Sequence, residues 1–179
     1  MKKVIYLLVL FTLFSSCDDG DIVLENLNFG NAQVTSCGAA TNPSGLLFKT
    51  SGSQLLLIDI PATIFDTVLS TNTNPKLHTI TANQIIYRKY SGNTNKNIIC
   101  DMVPPASPTV IDQWVGQPGG TIEVITSEIN TTNTTTGITS LTGYSHVIRF
   151  KNVQLKNDQN SFFYEDYYFG EYVVTVPQN

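Results

Sequence analysis

Residues 54–60, QLLLIDI, form a nearly unbroken apolar run that ends at Pro61. The run has the length and the branched side chains of a β-strand, and the lack of polar alternation indicates burial on both faces. Asp59 is expected where the strand emerges into solvent, because proline cannot continue a sheet ladder. A chain with such a strand needs a sheet that is covered on both sides.

The rest of the chain also reads as strands separated by turns. Turn signals stand at residues 42–45, 91–93, 117–120 and 157–158, and helical periodicity is absent except for a turn near 62–69. The irregular spacing predicts about eight to ten strands in one domain, residues 22–179, with an all-β antiparallel sandwich fold, Ig-like or jelly-roll-like. The further strand-like runs are 22–24, 46–48, 84–90, 97–100, 121–129, 144–155 and 161–176.

Three local features refine this pattern. Apolar residues change parity near Lys151-Asn152, and a one-residue bulge there would keep both sets on the core face. Gly170 indicates a bend or bulge in the last strand. Residues 130–137, NTTNTTTG, are typical of a polar hairpin tip, a kind of loop that can carry binding.

The N-terminus has the three parts of a signal peptide, residues 1–16. Two lysines begin it, an apolar run over residues 4–14 follows, and two serines lead to Cys17. The apolar run is about 16 Å long as a helix, too short to cross a bilayer. Phe14-Ser15-Ser16-Cys17 resembles the lipobox of bacterial lipoproteins, although an aliphatic residue is usual at the position of Phe14. The resemblance implies that Cys17 is lipidated; the alternative is a secreted protein with an incidental cysteine.

Asp18, Asp19 and Asp21 follow directly and make residues 17–21 an acidic tether. They resemble the export signal that surface lipoproteins of Bacteroidota carry after the lipidated cysteine. The resemblance implies an outer-membrane protein that faces the cell exterior. The alternatives are a solvated acidic linker and a lipoprotein that faces the periplasm.

Composition limits the partners and ligands. Without Lys2 and Lys3, eight of the ten basic residues remain against fourteen acidic ones, a net charge of −6, and no basic cluster exceeds Arg88-Lys89. Nucleic acid is therefore not an expected partner. Cys37 and Cys100 are expected to form a disulfide in an oxidising compartment, or else to be two separate thiols. Neither has the spacing of a zinc ligand, and no metal or other cofactor is predicted.

Residues 161–172, SFFYEDYYFGEY, are the densest aromatic stretch. They fit a strand whose rings fill the core, a protein interface, or a glycan platform that combines aromatic faces with carboxylates. The candidate binding face comprises Phe162, Tyr164, Tyr167, Tyr168 and Tyr172.

Catalytic motifs are missing from the sequence, so no catalytic residue is assigned and an enzyme is not expected. His146 shares parity with apolar residues and is predicted to be a hydrogen-bonded core histidine, whereas His78 is placed in a loop. Asp66-Thr67-Val68 resembles the O-glycosylation motif of Bacteroidota, which implies Thr67 as the acceptor.

These observations favour a non-enzymatic lipoprotein that acts as an accessory subunit of an outer-membrane complex for uptake, secretion or barrel assembly. The lipid would hold it in the outer membrane, and its partner would be a β-barrel protein or complex. The alternative function is capture of polysaccharide by a glycan-binding module.

Overall fold

The computed structural model describes residues 27–177, which contain nine strands and two short helices. The helices are α1 (Asn97–Cys100) and a 3-10 helix (Ala62–Phe65). The predicted signal peptide, Cys17, the acidic tether and the run 22–24 lie outside the described residues. The strands are β1 (Thr35–Ser36), β2 (Leu46–Ser51), β3 (Gln54–Asp59), β4 (Lys76–Thr79), β5 (Ile85–Tyr90), β6 (Val110–Gly116), β7 (Thr121–Thr132), β8 (Thr139–Lys156) and β9 (Ser161–Thr175).

The strands form one antiparallel sheet in the order β1-β2-β3-β5-β6-β8-β7-β4, with β9 on the other edge of β8. β6 pairs with Leu155 and Lys156 of β8, and β7 pairs with residues 139–151. β6 and β7 therefore lie end to end along one edge of β8, and β8 joins two halves of the sheet. The inner faces of both halves supply one core cluster, which confirms the predicted all-β antiparallel sandwich.

β3 is buried on both faces, as its sequence predicts. Leu56 and Ile58 belong to the main core, whereas Leu55 and Leu57 belong to a second cluster on the other face. The second cluster is completed by Ile98 of α1, which covers that side of the sheet. Asp59 is exposed at the end of the strand, as expected.

The strand predicted at Asn97–Cys100 is wrong, because this segment forms α1. The Cys100 N–H donates to the Lys96 carbonyl at 2.9 Å, and the Asp101 N–H donates to the Asn97 carbonyl at 3.1 Å. The side-chain oxygen of Asn95 accepts the Asn97 N–H at 2.9 Å and satisfies a donor in the first turn. Local hydrogen bonds thus decide the conformation of a run that is too short to favour either state by periodicity.

The two longest strands change the face that they present to the core at defined points. Lys151 pairs with Asp166 and Val153 with Tyr164, so the register continues through Asn152 without an extra residue. The predicted bulge at this point is therefore wrong; Asn152 instead has a φ of 53°, in the left-handed region. This local turn of the backbone keeps both Phe150 and Val153 in the core.

The predicted irregularity at Gly170 is confirmed. The β8–β9 register shifts between Ile148 and Arg149, where Phe169 is the extra residue of a bulge. Gly170 has a φ of +143°, and a Cβ there would lie 2.5 Å from Val34 Cγ2. Only glycine fits this close approach.

The segment 27–40 closes the open side of the folded sheet. Phe29 inserts into the core, Val34 packs over Gly170, and the Thr175 N–H donates to the Ala40 carbonyl at 2.8 Å. Cys37 and Cys100 form the predicted disulfide, which ties this segment to α1.

Replacing both Cys37 and Cys100 with serine should lower the free energy of unfolding by about 4 kcal/mol, because the bond closes a loop with a sequence separation of 63. Urea unfolding of the domain in a Cys17→Ser background measures the change. Reductant should destabilise the parent protein and leave the double variant unaffected. A loss below about 1 kcal/mol would show that the bond does not restrain the unfolded chain.

Candidate functional site

β9 divides the five predicted aromatic residues between the core and the surface. Tyr172 is 4% exposed, and Phe162, Tyr164 and Tyr167 are half-buried against the core. Tyr168 alone stands at the surface, with 49% of its area exposed. The five residues thus do not form one binding face.

Ring contacts explain why four of them turn inward. Phe162 packs against Trp114 with ring centroids 5.8 Å apart, and Tyr172 packs edge-on against Phe65 at 5.3 Å. Tyr164 and Tyr167 contact each other at 5.4 Å. Burial, with a smaller contribution from Tyr164, raises the pKa of Tyr167 to about 12. The four rings turn inward because burial of their large apolar area, together with the ring contacts, stabilises the core.

Tyr168 belongs to an outer face of the half-sheet formed by β4, β7, β8 and β9. It pairs with Arg149, which pairs with Glu123, which in turn pairs with Leu77. Directly opposed residues point to the same side of a sheet, so these four make one row across the four strands. We call the outer surface the Tyr168 face and define it as Leu77, Glu123, Ile125, Val147, Arg149, Lys151, Asp166, Tyr168, Glu171 and Val173.

An ion cluster lies at the middle of the Tyr168 face. Arg149 Nε and Nη2 donate to the two carboxylate oxygens of Asp166 at 3.0 and 2.8 Å, and Lys151 Nζ donates to Oδ2 at 2.8 Å. The hydrogen bond from Arg149, followed by that from Lys151, lowers the pKa of Asp166 to about 2. The hydrogen bond to Asp166 raises the pKa of Arg149. The guanidinium is held at two of its three nitrogens, which fixes its plane.

Tyr168 lies beside this fixed cation. The Arg149 Cζ is 6.0 Å from the centre of the Tyr168 ring, within the range of a cation–π contact. Around the pair, Leu77 is 65% exposed and Val173 is 39% exposed. The face therefore combines exposed apolar area with an ordered Tyr–Arg pair, the residue types that are enriched in protein interfaces.

A second carboxylate on the same face is also held in place. The Ser145 hydroxyl donates to Glu171 Oε1 at 2.5 Å, and Ser145 itself is only 6% exposed. Both Asp166 and Glu171 are thus tied by groups of β8, so the charges of the face keep fixed positions.

A chain of polar groups connects the surface loop at Thr67 to the core. Lys76 Nζ donates to Asp66 Oδ1 at 2.5 Å and to Thr126 Oγ1 at 2.9 Å. Thr126 Oγ1 then lies 3.0 Å from His146 Nδ1. Thr67 itself is exposed next to the anchored Asp66, and its predicted role as a glycan acceptor stays a prediction.

His146 is fully buried at the end of this chain, which places it in the core as predicted. Thr126 Oγ1 accepts from Lys76 and also bonds to His146 Nδ1, so the two side chains form one continuous chain. Nε2 has no hydrogen-bond partner among residues 27–177. Burial, followed by the nearby Lys76 charge, lowers the pKa of His146 to about 4.

The buried imidazole of His146 should make the free energy of unfolding depend on pH. The unfolded histidine takes up a proton near pH 6.5, whereas the folded one does so only near pH 4, so lowering the pH favours unfolding across this interval. The free energy of unfolding should fall by about 3 kcal/mol between pH 7 and pH 4 and then level off with respect to this group. Urea unfolding at several pH values should show a weaker dependence of the unfolding free energy on pH for His146→Gln than for the parent. The same pH dependence in the variant and the parent would contradict this assignment.

Lys49 is a second buried ionisable group on the inner face of β2. It is 4% exposed and has neither an ion pair nor a hydrogen bond within residues 27–177, with Nζ 6.0 Å from the centre of the Phe29 ring. Burial lowers its pKa. Its burial is not predicted from the sequence, because a lysine in a strand is expected at the surface.

Lys49→Met should stabilise the protein, because it replaces an unpaired buried cation with an apolar side chain of similar size. The unfolded lysine binds its proton more tightly than the folded one, so parental stability should rise with pH towards about 10.5. We expect the variant to gain about 1 kcal/mol or more at pH 7 and to lose this pH dependence. Lys96→Met, at an exposed lysine, is the matched control for urea unfolding. A destabilised Lys49→Met protein would mean that the ammonium has a partner.

Comparison with known proteins adds no identity: no protein-family model, curated protein or solved structure matches the chain. Within residues 27–177, no helix is long and apolar enough to cross a membrane, and no three His, Cys, Asp or Glu side chains converge as metal ligands.

Proposed function

We propose that this protein is a non-enzymatic lipoprotein of the outer membrane that faces the cell exterior and binds a membrane-protein complex through the Tyr168 face. The partner is a β-barrel protein, or a complex that contains one, in uptake, secretion or barrel assembly. In this proposal Cys17 carries the lipid and residues 17–21 form the tether.

The observation that carries the proposal is the exposed Tyr168 beside an Arg149 that Asp166 already holds. Tyrosine and arginine dominate the binding energy of many protein interfaces. Side chains that are ordered before binding lose less conformational entropy when the complex forms. The Tyr168–Arg149 pair lies at the centre of the Tyr168 face, and Val147 and Glu171 form the neighbouring row. This arrangement is typical of an interface hot spot that is surrounded by weaker contacts.

The proposed lipid anchor lowers the affinity that the Tyr168 face needs for its partner. Confinement to the same membrane raises the effective concentration of the partner, so the Tyr168 face needs only modest intrinsic affinity. The two parts therefore have separate roles: Cys17 supplies membrane residence, and the face supplies the choice of partner.

Tyr168→Ala and Arg149→Ala should each reduce recovery of the partner by about tenfold or more, since truncation of such a residue typically costs 2 kcal/mol or more in binding. The measurement is quantitative pull-down of the tagged full-length lipoprotein from mildly solubilised outer membranes. Phe163→Ala is the matched control, because Phe163 is an exposed aromatic residue of β9 outside the Tyr168 face, with 60% exposure.

Cys17→Ser should remove the protein from the outer membrane without changing the face. A stoichiometric β-barrel protein that is lost with Tyr168→Ala and kept with Phe163→Ala supports the proposal. Recovery of the lipoprotein alone, or equal recovery of the barrel with all variants, would overturn it.

A further inference from the structure

An open groove lies on the outer side of the other half of the sheet, between β6 and the turn that joins β8 to β9. Its volume is about 700 Å³, within the range of small-ligand sites. Trp114 points into the core, so its neighbours Gln113 and Val115 face outward into the groove. We call it the amide groove and define it by Gln113, Gln117, Lys156, Asn157, Asp158 and Gln159.

The lining combines four amide side chains with one cation, Lys156, and two carboxylates, Asp112 and Asp158, beside the apolar Val110, Ile111 and Val115. An amide side chain offers both donors and an acceptor, which suits a ligand whose groups both donate and accept hydrogen bonds. Asp112 already accepts from Asn157 Nδ2 at 3.0 Å. The excess of carboxylates disfavours an anionic ligand, and hydroxyl groups can donate to the carboxylates and both donate to and accept from the amides.

Two of the amides are oriented before any ligand binds. Arg88 Nε donates to Gln113 Oε1 at 2.6 Å, and Gln117 Nε2 donates to the Val115 carbonyl at 3.0 Å. These bonds leave the Gln113 amide N–H groups and the Gln117 oxygen for a ligand. The side chain of Gln159 makes no hydrogen bond with any residue of 27–177, and Asn157 instead holds the turn by accepting the Asn160 N–H at 2.6 Å.

An exposed aromatic ring stands on the same outer side. Phe163 pairs with Gln154, whose carbonyl accepts the Gln117 N–H at 2.8 Å. Phe163 is therefore two strand spacings from Gln117, about 10 Å. Its 60% exposure leaves a large apolar ring in water, where burial would be favourable. A ring of this kind can pack on the C–H face of a sugar while the amides bind hydroxyl groups.

We propose that the amide groove and Phe163 form a binding site for a neutral oligosaccharide. The site uses none of the five aromatic residues that the sequence suggested for glycan binding. It uses no residue of the Tyr168 face, which it approaches where Phe163 shares a small pocket with Lys151 and Asp166. It does not depend on the proposed complex.

The test is NMR titration of the isotope-labelled mature chain with hexasaccharides of α-1,4-glucan, β-1,4-glucan, β-1,3-glucan, β-1,4-mannan and β-1,4-xylan at millimolar concentrations. At least one should shift the amide signals of Gln113, Gln117 and Gln159. Phe163→Ala and Gln113→Ala should each weaken binding of that sugar by about tenfold. Tyr168→Ala, at an exposed ring of the same strand, should bind it like the parent.

Thermal unfolding of each variant establishes that it folds, and Phe163→Leu keeps apolar volume while removing the ring. Groove shifts that vanish with both Phe163 variants, each folded, support the site. Three results would overturn it: no groove shift with any of the five sugars, shifts that Phe163 substitution leaves unchanged, or tighter binding of an acidic hexasaccharide, oligogalacturonate. Because the pull-down responds to Tyr168 and the titration to Phe163, failure of one proposal is distinguishable from failure of the other.

Discussion

The fold depends on one shared core of aromatic rings that both halves of the sheet must bury. Tyr87 and Trp114 of one half pack at 5.1 Å, and Phe150 and Phe169 of the other stack at 5.2 Å. Phe162, Tyr164 and Tyr167 on β9 link the two groups through successive ring contacts. Since β8 and β9 run through both halves, they must present apolar side chains inward along their whole length while the sheet folds over. A strand with regular alternation cannot keep its apolar side chains inward on both sides of the fold. The positive φ values of Asn152 and Gly170 change which side chains face the core at these two points.

The same constraint sorts the charged groups. Positions that turn outward on β8 and β9 carry Arg149, Lys151 and Asp166, which pair with one another at the surface. Surface pairs of this kind add little stability, so their value lies in fixing positions. Lys49 and His146 are inside, where burial lowers the pKa of both groups. The interior thus favours the neutral form of each, whereas the outer face keeps its charges and holds them in place.

Sequence reasoning succeeded where a strong local signal exists. The apolar run of β3, the bulge at Gly170 and the Cys37–Cys100 bond all follow from residue type or spacing. The hairpin tip predicted at 130–137 is also present, but it spans 133–138 because residues 130–132 extend β7. It failed where distant contacts decide the outcome. β6 was missed because Asp112 and Gln113 interrupt its apolar residues, and β4, with His78, was assigned to a loop because its exposed edge lacks a pattern. The prediction that the five aromatic residues form one face failed because it treats β9 in isolation. The change of side at Asn152 in β8 also changes which residues of the paired strand β9 face the core.

That change of side also gives β9 two different outer surfaces. Phe163 lies opposite Gln154 in one half of the sheet, and Tyr168 lies opposite Arg149 in the other. Each ring remains exposed although most aromatic neighbours on the strand are packed against the core. Neither ring is part of the core, so substitution of Phe163 or of Tyr168 removes an exposed ring without opening a cavity in the aromatic core. The two proposed contacts, a protein partner at Tyr168 and an oligosaccharide at Phe163, can therefore be tested independently of the requirements of the fold.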